Sequence, residues 1–271
     1  MQKELMKVNE LTACYKDKKI INNISFSIME NSINAFLFPN KEGKTTFIKT
    51  ISGIKKYDKG EIIIDDVLLP KGGYGEYGVL ISTILEDINN QFLCDYVYDE
   101  IRYPLVNLGY SNKEIKNMID DVVSLMGISG MLYKKIVELS YIEKIQVLLA
   151  ASIVHKPKIL FIDDIFRFLN NIQKEKLFKV IKKINKEFNI SILYTTSDIN
   201  DVIDVNHVFV IKNGRLIMKG PYSKIILRDN ELSKMGFTIP IMIDLSRKLQ
   251  FYDLVDQLYY DPDKVVDALW K

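Results

Sequence analysis

The chain has 271 residues, of which 48% are apolar and 27% are charged, values that are ordinary for a globular protein. Its formal net charge of +2, from 37 basic and 35 acidic residues, gives no general attraction to nucleic acid, so no nucleic-acid partner is expected. Cys14 and Cys94 lack the spacing of a disulfide framework or a zinc site, and no apolar run approaches the ~20 residues that span a bilayer.

The first part of the chain predicts strands that lead into a loop and a helix. Residues 20–28 alternate apolar and polar side chains, as a half-buried strand does. Residues 33–37 are more continuously apolar, which is typical of a central parallel strand. The loop after them contains Pro39 and Gly43, and the helix beyond Lys44 has an apolar stripe at helical spacing.

Helical patterns dominate from about residue 89 to residue 150. A strand at 60–66 and a glycine-rich loop at 72–75 precede them. Ser111 is a suitable N-cap, and Glu114 three residues later completes a capping box. The segment 142–154 predicts a second, largely buried helix.

Strands and helices alternate again in the last third of the chain. Residues 158–164 predict a central strand that ends in two carboxylates, 173–188 an amphipathic helix, and 190–194 a further strand. Asn213 and Gly214 predict a hairpin turn. This alternation predicts an α/β fold, followed by a tail of helical segments at 242–249 and 263–269 that Pro240 and Pro262 interrupt.

The residues Gly43, Lys44, Thr45 and Thr46 indicate a phosphate site, because a helix N-terminus presents free N–H groups and a positive dipole end. They match the end of the pattern G-x-x-x-x-G-K-[ST], although Phe38 occupies the position of the first glycine. Taken alone, the four residues could be an ordinary helix start that bears a lysine. Asp163 favours a nucleotide site, since a carboxylate after such a strand commonly holds Mg²⁺, but Asp163 and Asp164 could also cap the next helix.

The order of these motifs resembles that of the ATP-binding subunit of an ABC transporter. Segment 41–46 resembles the Walker A loop, Gln91 the Q-loop glutamine, 139–143 the signature, 159–164 Walker B with the catalytic carboxylate, and 195–198 the switch motif. The resemblance implies a P-loop NTPase (ABC ATPase) core with an antiparallel β subdomain and a helical insertion at about 89–150, all within residues 1–220. It also implies a C-terminal helical extension, residues 221–271, that takes part in dimerisation.

Further segments resemble the energy-coupling factor (ECF) type of this family. They are 89–92, 97–101 and 107–109, together with the tail from Gly236 onward, for which a generic helical cap is the alternative. The resemblance implies a bacterial importer of a vitamin or a metal ion, in which a second ATPase subunit, a transmembrane T component and a substrate-binding S component are the partners. The chain would then lie at the cytoplasmic face of the membrane as a peripheral subunit, and the S component would choose the solute.

ATP and Mg²⁺ are the cofactors that the resemblance implies. Lys44 would reach the β and γ phosphates, Tyr15 would stack on adenine, and Gln91 would sense the γ-phosphate. The implied nucleotide-binding residues are Tyr15, Asn40, Lys41, Glu42, Gly43, Lys44, Thr45, Thr46 and Gln91. The implied metal ligands are Thr45, Gln91 and Asp163.

Several positions depart from the family pattern. At the catalytic positions, Asp164 replaces the usual glutamate and Ser197 the usual histidine. After Ser140, the signature has Tyr141, Ile142 and Glu143 in place of Gly-Gly-Gln. Asp164 is one methylene shorter than glutamate, and a catalytic group misplaced by ~1 Å can cost on the order of 100-fold in rate. Side chains at 141 and 142 are expected to crowd the partner's phosphate, and the Glu143 charge to repel it.

These departures predict weak catalysis by the chain on its own. We expect a homodimer to be almost inactive and a heterodimer with a complete second ATPase to be the working form. Two alternatives remain open at this point: a catalytically inactive pseudo-ATPase that serves for docking, and an ATP-binding subunit of another type of ABC transporter.

Overall fold

Two sheets form the frame of the protein. The computed structural model describes residues 3–15, 18–40, 42–71, 78–202, 205–259 and 261–270, so the glycine-rich loop predicted at 72–75 lies outside the described residues. The strands are β1 (Glu4–Tyr15), β2 (Lys18–Met29), β3 (Ile33–Leu37), β4 (Lys59–Ile64), β5 (Val67–Leu68), β6 (Ile81–Ile84), β7 (Ile159–Asp163), β8 (Ser191–Thr196), β9 (His207–Lys212) and β10 (Arg215–Gly220).

The helices lie between and after these strands. They are α1 (Lys44–Ile51), α2 (Val97–Asn107), α3 (Asn112–Met126), α4 (Tyr141–Ile153), α5 (Asn171–Phe188), α6 (Tyr222–Ile225), α7 (Asp229–Lys234), α8 (Ile241–Phe251) and α9 (Pro262–Leu269). The predicted α/β class is therefore confirmed.

The described strands divide into a six-stranded sheet and a four-stranded sheet. The larger has the order β10-β9-β3-β8-β7-β6, in which all neighbours are parallel except the β9–β10 hairpin. The smaller is antiparallel, with the order β2-β1-β4-β5. The hairpin predicted at Asn213 and Gly214 is the turn between β9 and β10.

The period-two alternation of the parallel strands separates two hydrophobic cores. In β3, Ala35 and Leu37 face one core, while Phe36 faces the other. In β7, Leu160 faces the same core as Ala35, and Phe161 faces the same core as Phe36. The first core joins the parallel sheet to most of the helices, and the second joins it to α1 and the antiparallel sheet. Burial on both faces explains why these strands are continuously apolar.

The segment between β6 and β7 is helical, as predicted. Glu114 accepts a hydrogen bond from the Ser111 N–H at 2.8 Å, and Ser111 Oγ accepts one from the Glu114 N–H, which confirms the predicted capping box. Helix α4 is largely buried and packs against α2 and β6. In the tail, Pro240 precedes α8 and Pro262 occupies the first turn of α9, where its fixed φ suits a helix start.

The parallel strands place four loops side by side. Leu37 at the end of β3 pairs with Thr196 at the end of β8, and Asp163 at the end of β7 pairs with Thr195. Strand β6 ends at Ile84, opposite Ile162. Because these strands run the same way, the residues that follow each of them meet at one edge of the sheet, where open α/β sheets bind ligands.

Replacing Phe36 by alanine tests the core that supports this edge. The ring is fully buried and stacks on Phe209 with centroids 4.5 Å apart. We expect Phe36→Ala to lower the free energy of unfolding by about 3–5 kcal/mol, because it removes the ring and leaves a cavity. Urea denaturation measures the change. The control is Phe251→Ala, whose ring is 80% exposed and whose effect we expect to stay within about 0.5 kcal/mol. Equal effects of the two variants would contradict this account of the core.

Candidate nucleotide-binding site

Phe38 anchors the start of the loop between β3 and α1. Its ring is buried and lies 5.2 Å from that of Phe47, and its N–H donates to the carbonyl oxygen of Thr196 at 3.0 Å. The side chain therefore belongs to the core and does not line the cavity that the loop surrounds. The residue that departs from the glycine pattern thus fixes the loop to the sheet and leaves the cavity open.

Gly43 is required where the loop turns into α1. Its φ is +86°, and a Cβ atom at this position would lie only 2.4 Å from Cγ2 of Ile20. A side chain here would meet both a strained backbone and a steric clash. No side chain of the described residues caps the start of α1, so among them the N–H groups at that end of the helix are open to a ligand.

The cavity in front of α1 has a volume of about 490 Å³. Glu42 lies in its wall, and its carboxylate also accepts a hydrogen bond from the Asn213 N–H at 2.7 Å, which ties the loop to the β9–β10 turn. The predicted residue Lys41 lies outside the described residues. The described residues that line the cavity are Asn40, Glu42, Gly43, Lys44, Thr45, Thr46, Glu86 and Arg167.

Lys44 is held by two predicted catalytic residues. Its Nζ donates to Oδ2 of Asp164 at 2.5 Å and to Oγ of Ser197 at 2.6 Å. The side chains of Lys44 and Asp164 are 12% and 4% exposed, so this is a largely buried ion pair. Burial raises the pKa of Asp164, and the hydrogen bond from Lys44 opposes that rise. The structure therefore brings all three residues together, with two of the three donors of the lysine ammonium engaged by its own chain.

Asp163 has one satisfied carboxylate oxygen and one that is not. Oδ1 accepts a hydrogen bond from Thr195 Oγ1 at 2.7 Å, whereas the buried Oδ2 has no hydrogen-bond partner among the described residues. Burial raises the pKa of this carboxyl group, and the nearby hydroxyls of Thr45 and Thr195 act against the rise. A buried oxygen without a partner is costly unless a ligand supplies one.

The surroundings of Asp163 suit Mg²⁺. A carboxylate with an open oxygen lies beside the Thr45 hydroxyl, and both are oxygen donors of the type that the ion prefers. No cluster of three or more His, Cys, Asp or Glu residues that could hold a metal occurs in the described part of the chain. A Mg²⁺ ion bound beside phosphates usually takes only one or two carboxylates from a protein, and phosphate oxygens and water complete its ligands.

Sequence reasoning missed Glu86 and Arg167, which the structure places at the same cavity. Glu86 follows β6, and its charge contributes to the raised pKa of both Asp163 and Asp164. Arg167 follows β7 and pairs with Glu86, with Nη1 2.8 Å from Oε1. Strand β6 could have indicated the position of Glu86, but its four residues lack a clear strand pattern in the sequence. Residues that follow β6 must lie beside those that follow its parallel neighbour β7.

Gln91 lies in a neighbouring cavity of about 440 Å³, which Thr45 also lines. Its amide bonds to backbone groups of its own loop: Nε2 donates to the carbonyl oxygens of Leu85 and Asp87, and Oε1 accepts from the Leu85 N–H, each at 2.8 Å. In this structure Gln91 therefore shapes the loop after β6, and Glu86 is the side chain from that loop that reaches the cavity in front of α1.

The signature segment forms the start of α4. Glu143 accepts hydrogen bonds from the N–H and Oγ of Ser140, at 2.8 and 2.6 Å, and these bonds lower its pKa. Tyr141 packs edge-on against Phe168 with centroids 5.9 Å apart, and Ile142 packs against the core of the helical segment. Burial is the main cause that raises the pKa of the Tyr141 hydroxyl. The predicted contact of this segment with a partner's phosphate stays a prediction.

The remaining predicted residue, Tyr15, lies at the end of β1. Its side chain is 55% exposed, and Nζ of Lys55 lies 4.5 Å from the centre of its ring. A cation over one face of an aromatic ring is a favourable arrangement. The predicted contact of this ring with adenine stays a prediction.

Comparisons with known proteins agree with this geometry. A sequence model of the family described as ABC transporter matches residues 21–167, which is more than half of the chain. The energy-coupling factor transporter ATP-binding protein EcfA1 of Streptococcus pyogenes serotype M1 is 27% identical over 235 residues, which cover 87% of this chain and 84% of that protein.

Solved structures show the same fold. The structure of cbiO1 from Clostridium perfringens, described as part of the ABC transporter complex cbiONQ, has a TM-score of 0.78 and 27% identity and covers 85% of this chain and 94% of that one. An ATP-binding cassette of an ABC transporter in its ADP conformation has a TM-score of 0.76 and 16% identity, with 86% of this chain and 98% of that one covered, and it supports the fold alone.

None of the described helices has the length and apolar character that crossing a bilayer requires. The P-loop NTPase fold, the loop that precedes Lys44 and the carboxylate at the end of β7 agree with the family match. The chain therefore belongs to the ABC transporter family, as one of its ATP-binding subunits.

Proposed function

We propose that this chain is the ATP-binding subunit of an ECF-type importer, in which it pairs with a second, complete ATPase and couples ATP to the uptake of a vitamin or a metal ion. The observation that carries the proposal is the convergence of Lys44, Thr45 and Asp163 on one edge of the sheet. Lys44 and Thr45 line the cavity in front of α1, and Thr45 lies beside the Asp163 carboxylate, whose buried Oδ2 has no hydrogen-bond partner among the described residues. The name of the relative EcfA1, an energy-coupling factor transporter ATP-binding protein, supports the ECF type.

Nucleotide binding would proceed by exchange at Lys44. The Nζ atom leaves the Asp164 carboxylate and the Ser197 hydroxyl and donates to phosphate oxygens, while the N–H groups at the start of α1 face the same anion. Thr45 and Asp163 would hold Mg²⁺, which neutralises phosphate charge when it is bound. Glu86 offers a further carboxylate oxygen at this cavity.

Hydrolysis at the site built on this chain would be slow. A catalytic carboxylate must reach and orient a water molecule, and Asp164 is one methylene shorter than the family's glutamate. Ser197 has no ring that could bridge to the γ-phosphate. We therefore propose that ATP binding at this site supports the dimer and that turnover takes place mainly at the second composite site.

Exposed apolar residues support the proposed partners. The C-terminal extension, residues 221–271, presents several exposed apolar side chains, as a surface that holds two ATPases together would do. They are Ile241, Phe251, Tyr252 and Trp270. The helical segment presents Leu93, Tyr96 and Tyr103, which fit a docking surface for the transmembrane T component near the loop after β6. With the S component in the same complex, the chain would be peripheral at the cytoplasmic face of the membrane.

A pseudo-ATPase is the second candidate function, and the Lys44–Asp164 pair favours it. If the pair persists when nucleotide is present, the chain would serve as a docking subunit without catalysis of its own. A binding measurement only partly distinguishes a pseudo-ATPase from an active ATPase subunit, because a pseudo-ATPase can still bind ATP. The rate of ATP hydrolysis distinguishes these two functions more sharply.

Replacing Lys44 by alanine tests the phosphate site. We expect Lys44→Ala to weaken Mg-ATP binding by roughly 10- to 100-fold, because it removes charge-assisted hydrogen bonds to phosphate and leaves the Asp164 carboxylate unpaired. Isothermal titration calorimetry measures the dissociation constants. The control is Lys179→Ala, which removes the same side chain from an exposed helix face, where it pairs with Glu175. Unchanged affinity in Lys44→Ala would remove the proposed site.

Steady-state ATPase measurement tests the proposed weakness of catalysis. We expect the purified chain to turn over ATP well below about 1 s⁻¹, the low end of ordinary enzyme rates, because Asp164 is one methylene shorter than the family's glutamate and Ser197 lacks the ring of the family's histidine. Addition of a complete ECF-type ATPase is expected to raise turnover. A rate above about 1 s⁻¹ from the isolated chain would overturn the assignment of hydrolysis to the other site.

A further inference from the structure

Arg167 lies at the cavity in front of α1 but has no part in the function proposed so far. It lines that cavity and also the adjoining cavity of about 320 Å³, and Lys44 lines both as well. Lys44 and Arg167 are the cationic side chains among the described residues around the first cavity. The chain therefore presents two positive groups, one from α1 and one from the loop after β7, to one space.

The guanidinium of Arg167 is positioned from two sides. It lies 5.5 Å from the centre of the Phe168 ring, which in turn packs against Tyr141. Its Nη1 bonds to Oε1 of Glu86 at 2.8 Å. The pair is only partly buried, with exposures of 58% for Arg167 and 35% for Glu86. An exposed ion pair of this kind contributes little to stability and can open at small cost.

Glu86, the partner of Arg167, is a carboxylate that lies close to two other carboxyl groups. Glu86 lies near enough to Asp163 and Asp164 for its charge to raise the pKa of both, although burial is the larger cause in each case. Glu86, Asp163 and Asp164 thus lie close together beside the cavity in front of α1, and Glu42 is a further carboxylate in its wall. Arg167 offsets one of these charges while no ligand is bound.

We propose that Arg167 binds the phosphate chain of the nucleotide, exchanging the Glu86 carboxylate for phosphate oxygens when the nucleotide enters. Arginine suits this role because its planar guanidinium can donate two parallel hydrogen bonds to a phosphate group. The guanidinium already lies over the Phe168 ring and bonds to Glu86, so it is held beside the cavity before a ligand enters. This inference rests on the proposed function, because it assigns a further residue to the same nucleotide site.

The competing explanation is that Arg167 and Glu86 only tie the loops after β7 and β6 together. In that case, loss of either partner breaks the same bond, and both variants change nucleotide affinity in the same direction. If Arg167 binds phosphate and Glu86 competes for it, the two losses have opposite effects. Replacing Arg167 removes a group that binds phosphate, whereas replacing Glu86 frees Arg167 to bind it.

Calorimetric titration of the full chain with ATP distinguishes the two cases, using wild type, Arg167→Gln, Arg167→Lys and Glu86→Gln. The first series contains EDTA, so that any effect of Glu86 on a metal ion is excluded, and the second contains Mg²⁺. We expect Arg167→Gln to weaken ATP binding by about tenfold or more and Glu86→Gln to tighten it. Arg167→Lys should also weaken binding, because the ammonium keeps the charge but lacks the planar fork.

A matched control is Arg228→Gln, since Arg228 forms an Arg–Glu pair with Glu231 in α7, and this variant should bind ATP as wild type does. Thermal unfolding shows whether each variant is folded. Weaker binding in both Arg167→Gln and Glu86→Gln would overturn the proposal in favour of a structural tie. Wild-type affinity in Arg167→Lys would reduce the role of Arg167 to general charge and would also overturn it.

The same titrations separate this inference from the function on which it rests. If Lys44→Ala loses affinity while Arg167→Gln keeps it, the nucleotide site stands and the role of Arg167 falls. If wild type does not bind ATP in either series, the proposed function itself fails, and the inference fails with it.

Discussion

The ion pair between Lys44 and Asp164 is the interaction on which the rest of the site depends. The two residues come from α1 and from the loop after β7, which the neighbouring parallel strands bring to one edge of the sheet. Both side chains are largely buried, and a buried charge that loses its partner is strongly destabilising. A ligand that takes Lys44 must therefore supply its own charge, and the freed carboxylate must find a proton or another cation. This requirement favours a polyphosphate that arrives with a metal ion.

The same arrangement recurs around the cavities near α1. Lys44 pairs with Asp164, Arg167 with Glu86, and Lys174 with Asp201, so each of these cations has a carboxylate of the same chain beside it. The Lys174–Asp201 pair is also largely buried, and Thr196 donates a further hydrogen bond to Asp201. Internal neutralisation keeps cations in place without a ligand, but every pair that must open lowers the net affinity. The site is therefore built for binding by exchange.

Local patterns predicted the fold well, and long-range contacts limited what could be predicted of the site. The strands β3 and β7, the capping box at Ser111 and the loop before Lys44 all follow from short-range sequence features. The strand β6 has only four residues and no clear alternation, so its partner β7 and the position of Glu86 could not be inferred. The bond between Glu86 and Arg167 joins residues 81 positions apart, which neither composition nor periodicity reveals.

Asp164 and Ser197, which replace the family's glutamate and histidine, both bond to the same atom, Nζ of Lys44. Asp164 has one methylene fewer than the family's glutamate, and Ser197 lacks the imidazole ring of the family's histidine. In the structure both bond to Nζ of Lys44, the group that we propose binds phosphate. Restoring either family residue alone would leave the other bond in place. Both substitutions therefore act on one proposed phosphate ligand, and this arrangement favours the proposed role of a subunit that binds ATP while its partner hydrolyses it.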